Sequence, residues 1–150
     1  MKADAVLATT RDIETFIRDF EAGTLPRVRW THHAHLVVAV WYLTHHTYDE
    51  ALNIVRRRIR AYNDAIGTRN TDSGGYHETL TRLFLRGVAG HIARHPNEAL
   101  PVSIAVLLRS PLGCQDWPLR FYSRERLFSV AARHHWVEAD LASIEPEENT

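Results

Sequence analysis

Cysteine is almost missing from this sequence: Cys114 is the one thiol in 150 residues. An internal disulfide is therefore excluded, as are multi-cysteine zinc and iron–sulfur centres. The usage fits a reducing compartment, so a cytoplasmic location is expected. Net charge is missing too, with 18 basic residues against 18 acidic ones. No global field draws such a chain toward nucleic acid or an anionic membrane. Long apolar runs are absent. The longest, Leu36–Leu43, falls far short of the ~20 residues a bilayer-spanning helix needs. The stretch "MKADAVLATTRD" has neither a long apolar core nor a clear cleavage site, so no signal peptide is expected. There is no glycine-rich phosphate loop, dinucleotide fingerprint or serine nucleophile elbow. Cys114 stands in a loop beside Gly113 and Gln115, and no feature selects a histidine partner for it.

What is present is ordinary except for one number. A 45% hydrophobic and 24% charged composition suits one soluble domain with a single core. The unusual number is ten histidines. They fall in clusters at His32, His33 and His35, at His45 and His46, at His91 and His95, and at His134 and His135, with His77 alone.

The periodicity is helical throughout, and no segment alternates as a strand. Thr9 or Thr10 caps a first helix carrying Ile13, Phe16, Ile17 and Phe20, and Gly23 ends it. Thr31 caps a second helix to about His46; apolar residues surround its axis, which makes it the central helix. "TYDE" at Thr47–Glu50 is a capping box. It opens a third helix with Ala51, Leu52, Val55, Ile59, Tyr62 and Ile66 on one stripe, stopped at Gly67. A fourth helix runs from about Tyr76 to His95, before Pro96, and its Gly87 and Gly90 allow another helix to approach. A fifth covers about Pro101–Arg109, and Ser123 caps a sixth through about His135, with a short last turn near Glu138–Leu141. The expected architecture is an all-α, single-domain bundle of five to six helices over residues 1–144, with a disordered acidic tail at 145–150.

Two stretches carry chemistry. In "WTHHAHL", His32 and His35 are three apart, so both can face one point, while His33 points elsewhere. The positive end of the helix dipole keeps imidazoles there neutral, the form that binds metal. The plain alternative is a set of partly buried, hydrogen-bonded histidines. In "NTDSGGYHETLT", Gly74 and Gly75 permit a sharp turn into the helix. His77 then lies on the core-facing stripe, Thr81 is one turn further on, and Glu78 can serve as ligand, base or helix-start charge.

Together, two histidines from one helix and one from another could leave open metal positions. His91 and His95 sit at the end of their helix, where structural roles suffice, and His91 is about 21 Å along the axis from His77. The run "RRRIR" at Arg56–Arg60 could bind phosphate. Zero net charge makes a solvated helix face the better reading, so nucleic acid is the weakest partner considered.

"WTHHAHL", "NTDSGGYHETLT" and "FYSRERLFSVAARHHWVEADL", in that order, resemble a family of small, mostly bacterial, uncharacterised proteins. Its pattern falls here on Trp30, His32, His35 and Leu36, then on Gly75, Tyr76, His77, Glu78, Thr79 and Thr81, then on Ser129, Ala132 and Arg133. Ala139 stands where that resemblance leads one to expect a proline before Asp140. The resemblance implies no reaction, but it brings Arg133 into the candidate site, where an inward arginine needs Glu78 or an anionic group of a ligand.

The expectation is a metal-dependent enzyme acting on a small polar substrate, hydrolytic or oxidative. His32, His35 and His77 would hold a divalent ion (zinc, iron, nickel or copper), and Glu78 would be ligand or base. Tyr76, Thr81 and Arg133 would position the substrate. The alternative is a non-enzymatic ligand-binding or protein-interaction domain with a buried histidine network.

Overall fold

The computed structural model describes residues 7–144; the acidic tail expected at 145–150 lies outside them. Every regular element among the described residues is helical. Five long helices come first: α1 (Thr10–Ala22), α2 (His32–His45), α3 (Tyr48–Ala65), α4 (Glu78–Arg94) and α5 (Leu100–Arg109). Two short ones follow, α6 (Arg124–Leu127) and α7 (Val130–His134). Single 3₁₀ turns occupy Arg27–Arg29, Pro111–Gly113 and Trp117–Arg120.

Local chemistry explains most boundaries. Thr9 closes a capping box with Asp12, and Gly23 ends α1 in the left-handed region at φ +75°. Thr31 Oγ1 accepts the Ala34 N–H to start α2. Thr47 and Glu50 exchange the two bonds of a second box. These caps satisfy backbone donors that a helix start leaves open, each contributing about 1 kcal/mol.

The α2 helix is the axis of the bundle and touches α1, α3, α4 and α5. Consecutive residues from Leu36 to Val40 are all buried, which only a helix enclosed on every side permits. The main core gathers Ile13, Phe16, Phe20, Val37, Val38, Val55, Tyr62, Val88 and Leu107, among others. A smaller one forms around Leu83, Tyr122 and Leu127.

The C-terminal third departs from the expected single sixth helix. After α6, Ser129 adopts φ −70° and ψ 157° and its hydroxyl accepts the Ala132 N–H, so the chain starts a second helix instead of continuing the first. Residues 136–142 are irregular rather than a helical turn. The segment is held by Ser123, whose N–H and hydroxyl both donate to Asp140, and by the Tyr122 hydroxyl on Val137 O. Gly87 does permit a close approach, but by the Pro111–Gly113 turn: a Cβ there would meet Leu112 at 2.5 Å and Trp117 at 3.0 Å. Gly90 faces only the chain's own Arg94 at comparable range.

Candidate functional site

The loop into α4 is organised by one side chain. Asn70 Oδ1 accepts the Tyr76 N–H at 3.0 Å and the Asn63 amide at 2.9 Å. This draws the backbone tightly around Gly75, which has φ +79°. A Cβ there would stand 2.5 Å from Arg69 O and 2.7 Å from Asn70 Oδ1. Gly75→Ala combines that contact with the ~1–2 kcal/mol left-handed penalty, so a loss of at least about 2 kcal/mol is expected. Urea denaturation reads it, and a loss within about 0.5 kcal/mol, the range of an ordinary surface change, would refute the constraint.

His77 is the N-cap of α4, one position before the helix. Its Nδ1 accepts the Leu80 N–H at 3.1 Å, so the proton is on Nε2, which donates to Leu127 O at 2.8 Å. Burial lowers its pKa; the Leu127 bond opposes this and the Arg133 charge adds to it. Both ring nitrogens therefore have protein partners, and neither is left for a metal while the cap is intact. The ring instead joins the start of α4 to the end of α6. The Thr81 hydroxyl donates to the His77 carbonyl at 2.8 Å rather than to its ring.

Glu78 is committed to an ion pair. Arg56 Nε and Nη2 donate to its two oxygens at 2.9 and 2.6 Å, the Tyr76 hydroxyl donates to Oε1 at 2.7 Å, and Arg82 Nη1 is 4.0 Å away. Burial opposes ionisation, but the Arg56 and Tyr76 bonds and the two guanidinium charges outweigh it and hold the carboxyl below its ordinary range. A carboxylate so satisfied is a poor base. Arg133 does not reach Glu78; its Nη1 donates to the carbonyls of Gly75 and Tyr76 at 3.0 and 3.3 Å, clamping α7 onto the loop.

His32 and His35 are placed differently. His32 Nε2 donates to Leu112 O at 2.9 Å, and its ring packs on Phe84 with centroids 4.8 Å apart. His35 Nδ1 donates to Thr31 O at 2.7 Å and stacks on Trp30 at 3.8 Å. Burial lowers both pKa values, that of His35 to about 4, against the pull of these carbonyl bonds. Each ring is thus neutral at pH 7, with one bare nitrogen: Nδ1 of His32 and Nε2 of His35. His33, read as the spare, bonds Gly113 O at 3.1 Å.

The two helix starts adjoin around one cavity of about 910 Å³. Trp30, His32, His35, Tyr76, His77 and Thr81 all line it, with Leu36, Val55, Ile59, Phe84, Leu85 and Leu127 as apolar walls. The lining residues Arg27, Gln115, Asp116, Arg124 and Phe128 are exposed and mark the mouth. Glu78 and Arg133 are not among the lining residues. Among the described residues, no group of three or more His, Cys, Asp or Glu side chains is gathered to hold a metal ion.

Two participants escaped the sequence reading. Arg56 belongs to the Arg56–Arg60 run, whose composition predicts a solvated face, yet it holds Glu78. Arg58 and Arg60 of the same run pair with Glu21 at 3.9 Å and cover the Tyr76 ring at 4.7 Å. Asn63 is buried at the cavity wall. Its signal was a polar residue four positions after Ile59, on the apolar stripe of α3. No helix among the described residues is long and apolar enough to cross a membrane. No family model, curated protein or solved structure matches the chain.

Proposed function

We propose that this chain is a small-molecule-binding domain, and that the cavity between the starts of α2 and α4 is its site. One observation carries the reading. Five residues singled out from two distant sequence stretches, His32, His35, Tyr76, His77 and Thr81, line the same space. An apolar-walled cavity with a few convergent polar groups is the usual form of a ligand site. His32 and His35 anchor the ligand's polar end, and His77 and the Arg133 clamp hold the wall in shape. A cytoplasmic location goes with this reading, on the strength of the single cysteine. The test is backbone amide NMR during titration with a mixed fragment set. Saturable shifts clustered on residues 30–36 and 75–81 are expected, and shifts confined to other surfaces would refute the assignment.

A metal-dependent enzyme is the second reading, favoured by the two bare imidazole nitrogens beside one cavity. His32 and His35 would be its ligands, and substrate or water would complete the coordination, because His77 is engaged as a cap. Zinc, iron, nickel and copper all accept imidazole. Metal analysis of protein purified without a histidine tag separates the two readings. The binding-domain reading expects less than one-tenth of an equivalent of any of these ions, as a rough threshold for a site built to hold one. A stoichiometric ion that is lost in a folded His32→Ala, His35→Ala variant would establish the enzyme reading instead.

A further inference from the structure

The two histidines of the cavity share one hydrogen-bonding sense, opposite to that of the Trp30 indole N–H beside them. His32 has given its Nε2 proton to Leu112 O, and His35 its Nδ1 proton to Thr31 O, leaving a lone pair on the other nitrogen of each. The Asn63 amide nitrogen donates one of its two hydrogens to Asn70, which leaves the second N–H as a donor and Oδ1 as an acceptor. Thr81 has donated its hydroxyl proton to His77 O, so its oxygen too can only accept. The bare nitrogens of His32 and His35 and Asn63 Oδ1 are not walled in by protein: the buried, unpaired side-chain atoms among the described residues are Arg58 Nε and Glu98 Oε1. These three atoms are reachable, and all four residues line the cavity.

The interior carries no formal charge to match an ionic ligand. Arg27, Asp116 and Arg124 are at the exposed mouth, and Arg27 is already engaged with Ile66 O and Thr68. An anion would bring its lone pairs against those of His32 and His35. A cation would meet the positive ends of α2 and α4 and lose its hydration without a counter-charge.

We infer that the cavity selects an uncharged ligand that donates several hydrogen bonds, through hydroxyl or amide N–H groups carried on an apolar body. This rests on the ligand-binding reading above and adds the chemistry of the ligand. Acceptors left bare by an undonating ligand forfeit their hydration, so mismatched chemistry is rejected more strongly than mismatched size.

The experiment uses protein labelled with ¹⁵N in its histidine rings and four probes of similar size: catechol, benzamide, benzoate and benzylammonium. Catechol or benzamide is expected to move the His32 Nδ1 and His35 Nε2 resonances saturably at millimolar concentration. Its affinity should exceed that of either ion by about tenfold or more, the worth of one well-made hydrogen bond. Which of the two binds tells a hydroxyl donor from an amide donor. A His35→Phe variant should lose that preference; if it does not fold, the ring resonances of the unaltered protein remain the readout. Tighter binding of benzoate or benzylammonium overturns the ligand class and leaves the cavity a binding site. Failure of all four probes to perturb any cavity residue overturns the class and the binding-domain reading together.

Discussion

Replacing Glu78 with alanine is expected to destabilise the protein by about 3 kcal/mol, the lower end of the range for breaking a buried ion pair. The lower end applies because Glu78 is 9% exposed but Arg56 is 27% exposed, so water screens part of the stranded charge. The loss has two sources: the Arg56 guanidinium loses its bidentate partner, and the Tyr76 hydroxyl loses its acceptor. Glu78→Gln keeps the shape and an acceptor for Tyr76 and should cost less. A double-mutant cycle with Arg56→Gln should return a coupling of about 0.5–3 kcal/mol, as for residues in direct contact. Because the folded-state pKa of Glu78 is depressed, its stabilisation is present above the ordinary carboxylate range and is lost as pH falls through the folded value. Urea unfolding at neutral pH is the measurement. A loss below about 1 kcal/mol would mean that Glu78 does not hold α3 to α4 and would return it to candidacy as a base.

Acidifying the metal-free protein from neutrality to about pH 4 is expected to cost about 2–3 kcal/mol through His35 alone. In the unfolded chain its imidazole takes up a proton below its ordinary pKa of 6.5, whereas burial in the fold delays uptake to about 4. Between those values the unfolded state binds more protons, so stability rises with pH across the window and falls on acidification. The figure is set below the full linkage value because the ring is half-buried rather than sealed. His32, His77 and His91, whose pKa values burial also lowers, act in the same direction. His35→Leu should flatten the pH dependence of the urea midpoint by the His35 share, whatever it does to stability at neutrality. An unchanged slope would show that His35 titrates alike in both states.

The local order of the chain was legible in its sequence. Thr9, Thr31, Thr47 and Ser123 cap helices, Gly23 ends one, and the unbroken apolar run of α2 marks the central helix. Capping and helical periodicity act within about four residues, so the sequence holds both partners of each such interaction side by side. The Ser129 break was harder to read, because a serine in an amphipathic run serves equally as a helix residue or as a new cap.

Only the tertiary structure decided what the marked residues do. His77 looks like a ligand by spacing; the Leu127 carbonyl, fifty residues away, accepts its one ring N–H and makes it a structural join. Glu78 looked like a base until Arg56 came across from α3, and Arg133 looked like its partner until it closed on the loop carbonyls. At His32 and His35 the carbonyls of Leu112 and Thr31 accept the one ring N–H of each, which leaves the other nitrogen bare beside the cavity. A side chain's chemistry depends on which donors and acceptors packing sets against it, and for His77, Glu78 and Arg133 those partners lie on other elements of the fold.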